Sequence, residues 1–172
     1  MKLKNHQLPE ALRIFGILSS ESQVSITLRW RAGELRKTLE GLVKTLGEAE
    51  LALIKGYAEI AEDGSLAPVL GKDKKPIPNS WKWKGVPTAP ESLTLDATPE
   101  QSQAYDAAKA QYQEDLRALL AKQRAFQAEH EELMGIEHDL TFKPFPLADY
   151  ERSKLTGDDL QTVSWAITFP TE

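Results

Sequence analysis

A single spacing limits what this chain can fold into. Leu28, Ala32, Leu35, Leu39, Leu42, Leu46, Ala49, Leu53, Gly56 and Ile60 follow one another at alternating steps of four and three. Those steps place them all on one stripe of one long helix. The helix is expected from about Gln23 to about Glu62, or about 60 Å at the rise of an α-helix. Ser19, Ser20 and Ser22 precede it and are candidates to cap it. Asp63-Gly64-Ser65 is the expected stop, with Gly64 free to turn left-handed. Gly33, Gly41, Gly47 and Gly56 interrupt the pattern, each at about 1 kcal/mol relative to Ala. They suggest close helix approach, local bending, or a functional hinge.

A second helix of similar length follows. Thr98-Pro99-Glu100-Gln101 offers Thr at the N-cap, Pro at the first helical position and Gln at the capping-box position. Tyr105, Tyr112, Leu119, Phe126 and Leu133 recur every seven residues, and Ala108, Leu116 and Leu120 widen the stripe. Met134-Gly135 is the expected end. Two stripes of this kind, each too weak to hold a helix alone, are expected to bury one another as an antiparallel pair.

The flanking pieces are shorter. Residues 1–6 alternate weakly about Leu3, and Ile136, His138, Leu140 and Phe142 alternate with polar residues, so two strands are expected to pair there. Pro9-Glu10 opens a small helix carrying Leu12, Ile14, Phe15 and Leu18. Leu147 to Tyr150 suggests one helical turn. Thr156 is placed to cap a last helix from Gly157 to about Thr168, with Asp158 and Asp159 in its first turn. Between the long helices, Pro68, Pro76, Pro78, Pro87 and Pro90 forbid a regular helix over 64–97. The fold class is therefore mainly α (α+β). A long antiparallel helical hairpin carries a two-stranded sheet and short helices at one end and a Pro-rich protruding segment, in a single domain over 1–172.

Composition narrows the function. The net charge of −5 argues against generic duplex nucleic acid, whose binding depends on neutralising phosphates with Lys and Arg. With no cysteine there is no disulfide, thiolate nucleophile or Cys-ligated metal. Neither a signal-peptide core nor a bilayer-length apolar run is visible, which suggests a cytoplasmic protein without a membrane partner. His130 and His138 lack a ligand partner at helical spacing. The acidic cluster about them, Glu129, Glu131, Glu132, Glu137 and Asp139, reads as a solvated face or a divalent cation site. No phosphate loop, nucleophile elbow or zinc pattern is present, so neither an enzyme nor a cofactor is expected.

Two basic and aromatic stretches are the candidate ligand sites. The first carries Lys72, Lys74, Lys75, Trp81, Lys82, Trp83 and Lys84. Lysines suit phosphate and indole faces suit a stacked base, so a nucleotide-like anion is one occupant. In the alternative, the tryptophans anchor a hairpin or loop to the helices and the lysines are simply solvated. The second stretch is Arg29, Trp30 and Arg31, with Arg36 and Lys37 beyond it. It reads as a surface cluster with snorkelling side chains or as a partner or phosphate contact. Leu51, Ile54, Tyr57 and Trp30 lie beside or off the main stripe, which suggests a homo-oligomer.

The order of pieces resembles a small family of tailed-phage proteins known as a domain of unknown function. The resemblance rests on the Lys2-Leu3-Lys4-Asn5 start, Leu8-Pro9-Glu10-Ala11-Leu12, Tyr57-Ala58-Glu59, Phe126 with Glu131-Glu132-Leu133, the Ile136 to Phe142 strand, and Leu155-Thr156-Gly157-Asp158-Asp159-Leu160. It covers both ends and both long helices but not the Pro-rich centre. It implies a phage or prophage origin, hence the host cytoplasm, and brings no catalytic residues. The expected function is a non-catalytic accessory protein that binds a host-derived molecule, such as an anti-defence sponge for a nucleotide-like signal. Alternatives are an inhibitor that lays its acidic helical arm on a host enzyme, and a virion assembly or accessory component.

Overall fold

The computed structural model describes residues 2–92, 98–141, 143–150 and 152–168. The fold is mainly helical, with two long helices, short helices and a small two-stranded antiparallel sheet. In chain order the elements are β1 (Lys2–Lys4), α1 (Leu8–Ser20), α2 (Ile26–Tyr57), α3 (Pro99–Gly135), β2 (Glu137–Asp139), β3 (Phe145–Pro146), α4 (Gly157–Thr162) and β4 (Ile167–Thr168). Single 3-10 turns occupy Asn5–Gln7, Leu147–Asp149 and Ser164–Ala166. The chain divides into two compact units, one of Met1–Glu50 with Glu131–Glu172, the other of Leu51–His130.

In the first unit the predicted α2 stripe is buried from Leu28 through Ala32, Leu35, Leu39 and Leu46, with Leu42 half-buried. Its cover differs from the expectation. α1 supplies Leu8, Ala11, Ile14, Phe15 and Leu18, and the C-terminal elements supply Leu140, Phe145, Tyr150, Val163, Ala166 and Ile167. α3 adds only Leu133 and Met134 of its last turn to this core. The seam is thus closed mainly by the chain termini, whose apolar side chains are more numerous than those α3 offers there.

The helix boundaries follow local chemistry. α2 starts at Ile26, not Gln23, because the Ser25 hydroxyl accepts the Leu28 N–H at 3.2 Å. Ser19 and Ser20 instead turn back, donating to carbonyls in the last turn of α1. The α3 cap is as expected. The Thr98 hydroxyl accepts the Gln101 N–H, and the Gln101 side chain accepts the Thr98 N–H at 2.8 Å. α3 then runs unbroken through Gly135. α2 is likewise unbroken through its glycines, and apart from the helix's own adjacent backbone and chain neighbours nothing lies within 4 Å of where a Cβ would stand at Gly41, Gly47 or Gly56. Close helix approach does not account for these three.

β1 and β2 pair antiparallel, with Leu3 opposite His138, which bears out the expected partnership in a shorter form. Phe142, the expected end of that strand, lies outside the described residues. Asn5 fixes the sheet to the end of α3. Its amide donates to the Leu133 carbonyl at 2.7 Å, and its Oδ1 accepts from His138 Nε2 at 2.6 Å. The last predicted helix is shorter than expected. Thr156 caps α4 in a capping box with Asp159, but the helix stops at Thr162. After one 3-10 turn, Ile167 and Thr168 pair in parallel with Phe145 and Pro146. Val163 and Ile167, both β-branched and buried, favour that extended exit.

In the second unit α2 ends at Tyr57 rather than near Glu62, so Ile60 leaves the stripe and is 44% exposed. Asp63-Gly64 forms the turn of a tight hairpin, with Gly64 at φ 79° and Ile60 bridged to Leu66. The residues after it are irregular but paired. Leu70 bridges Pro76, Ala58 bridges Trp83, and the Lys82 N–H donates to the Ala67 carbonyl at 2.8 Å. The prolines exclude a helix here without excluding backbone pairing. On α3, Tyr105, Tyr112, Leu116, Leu119 and Phe126 form the expected half-buried stripe, while Ala108 and Leu120 are exposed.

Candidate functional site

The predicted ligand residues divide between the two units. Lys72, Lys74, Lys75, Trp81, Lys82, Trp83 and Lys84 belong to the second unit, and Arg29, Trp30 and Arg31 to the first.

Trp81 and Trp83 are half-buried in an aromatic cluster. Their ring centroids lie 4.5 Å apart, and each stands edge-on to Phe126 at 5.5 Å. Tyr57 meets Phe126 at 5.4 Å, and its hydroxyl donates to the Glu129 carboxylate at 2.7 Å. That bond to Glu129 raises the phenol above its usual range. Such rings anchor the irregular segment to the end of α2 and to α3. Lys84 is engaged too. Its ammonium donates to the Lys55 and Gly56 carbonyls at 2.8 and 3.1 Å, satisfying two acceptors that the end of α2 leaves open. Lys82 pairs through its backbone and leaves its side chain exposed. Lys72, Lys74 and Lys75 occupy an exposed turn in which Lys74 adopts φ 61°. This stretch therefore matches the anchoring alternative more closely than an open stacking site.

The first unit holds a better formed site. Trp30, Arg31, Glu34, Leu35 and Thr38 share one flank of α2 at helical spacing, beside the buried stripe. Thr141 and Lys143 face them from the segment that follows β2, and together they line an open groove of about 290 Å³. The β1–β2 pairing and the buried Leu140 bring that segment to α2. Trp30 is 68% exposed, so its indole presents an open flat surface. The Arg31 guanidinium lies over the Phe145 ring at 5.1 Å, a contact that restricts its position while leaving its N–H fork available. Glu34 is drawn towards Lys37 at 2.9 Å. The arrangement joins two cations, two hydroxyls and an aromatic face at one concave surface.

Lys143, Thr141, Thr38 and Glu34 are absent from the sequence-based candidates. Glu34 and Thr38 were legible as the continuation of Trp30 at steps of four. Thr141 and Lys143 had no such signal, because only tertiary pairing brings them there. Among the described residues, no group of three or more His, Asp or Glu is disposed to hold a metal ion. No helix among them is long and apolar enough to cross a membrane. Comparisons with protein-family models, with curated proteins and with solved structures find no match.

Proposed function

We propose that this chain is a non-catalytic phage accessory protein that captures a small nucleotide-like anion of the host, as a sponge that withdraws a signal. The observation that carries this reading is the groove of the first unit, where Arg31 and Lys143 stand beside the exposed Trp30 indole. Cations placed next to a flat ring recognise a charged group attached to a flat ring. The phage origin rests on the resemblance described above.

Isothermal titration of the purified chain with mono-, di-, tri- and cyclic nucleotides tests the reading. Saturable binding that is lost in Trp30→Ala supports it. Absence of heat with every nucleotide at high micromolar concentration refutes it.

A further inference from the structure

We infer that the groove of the first unit is built for one nucleoside monophosphate, bound one per chain, and not for polyphosphates or linked dinucleotides. This deepens the proposed function and rests on it.

Size is the first argument. Ligand clefts begin at about 300 Å³. At about 290 Å³ this groove stands close to that lower bound, a size in keeping with one base, one sugar and one phosphate. Charge is the second. A terminal phosphate carries close to two negative charges at neutral pH, and the groove presents two cations, Arg31 and Lys143. A triphosphate brings more charge than these two can neutralise. A phosphodiester brings less per phosphate and more bulk. Glu34 opposes any excess anion, although Lys37 at 2.9 Å offsets part of its charge. Glu34 also supplies acceptors for ribose hydroxyls or a base amino group, which inorganic phosphate cannot use. Trp30 provides the stacking face, and its exposure leaves that face open in the free chain.

The test titrates the full chain calorimetrically with AMP, GMP, CMP and UMP, with their nucleosides, with inorganic phosphate, with ATP and with a cyclic dinucleotide. At least one monophosphate is expected to bind at a one-to-one ratio. It is expected to bind at least tenfold tighter than its nucleoside, phosphate, ATP or the dinucleotide. Lys143→Gln is expected to reduce monophosphate affinity severalfold and leave nucleoside binding unchanged, whereas Trp30→Ala weakens both. Both side chains are exposed, so these variants should fold, and far-UV circular dichroism checks this. ATP or the dinucleotide binding as tightly as the monophosphates overturns the inference while the broader reading stands. Phosphate binding as tightly as any monophosphate overturns the role of the ring. If no nucleotide binds, both the inference and the broader reading fail.

Discussion

Replacing Asn5 with Ala tests whether the small sheet and the end of α3 are locked together as the geometry indicates. Asn5 is 4% exposed and makes two short side-chain hydrogen bonds, to the Leu133 carbonyl at 2.7 Å and from His138 at 2.6 Å. A hydrogen bond of this kind contributes about 1 kcal/mol net, and an orphaned buried partner raises the loss. Neither partner is fully orphaned here. The Leu133 carbonyl still accepts the Ile136 N–H at 3.3 Å, and the half-buried His138 can reach water. Asn5→Ala is therefore expected to cost about 2 kcal/mol. At a urea dependence of about 2 kcal/mol per molar, the unfolding midpoint should fall by about 1 M. Asn5→Asp should cost more at neutral pH, because it sets a carboxylate oxygen against the Leu133 carbonyl. Urea titrations followed by far-UV circular dichroism measure both. An unchanged midpoint for Asn5→Ala, or wild-type stability for Asn5→Asp, would refute this account of the joint.

Two further outcomes follow from named contacts. Lys84→Met should cost about 0.5–1 kcal/mol by uncapping α2, whereas Lys72→Met and Lys75→Met should change stability by less than about 0.5 kcal/mol; thermal melts of the three variants separate the structural lysine from the solvated ones. In acid, the Thr156 N–H and hydroxyl, together with Arg13, hold the Asp159 carboxyl below its usual range. The unfolded chain then binds this proton at higher pH than the folded chain does. The contribution is complete above about pH 4 and declines as pH falls through the folded value. Urea midpoints measured from neutral pH downwards should fall less steeply in Asp159→Asn, and an identical acid slope would contradict the assignment.

Features that depend on neighbours along the chain were determined by the sequence itself. Thr98-Pro99-Glu100-Gln101 fixes the start of α3, and Thr156 with Asp159 fixes the start of α4, because a cap is made by side chains three residues apart. The stripe from Leu28 to Leu46 marked the buried face of α2, since helical period alone sets which residues share a side. Period two marked β1 and β2 in the same way.

Tertiary structure decided what depends on contacts distant in sequence. The stripe states that a face must be covered, but not that α1 and the C-terminal elements would cover it. Asp63-Gly64 suggests the stop of α2, but the helix ends at Tyr57 and pairing of Ile60 with Leu66 makes Asp63-Gly64 a hairpin turn. Lys84 resembles its neighbouring lysines until the open carbonyls of α2 are placed beside it. The groove unites Trp30 and Arg31 with Lys143, residues more than a hundred positions apart. Their proximity comes from a strand register and a buried leucine, and local periodicity carries no record of either.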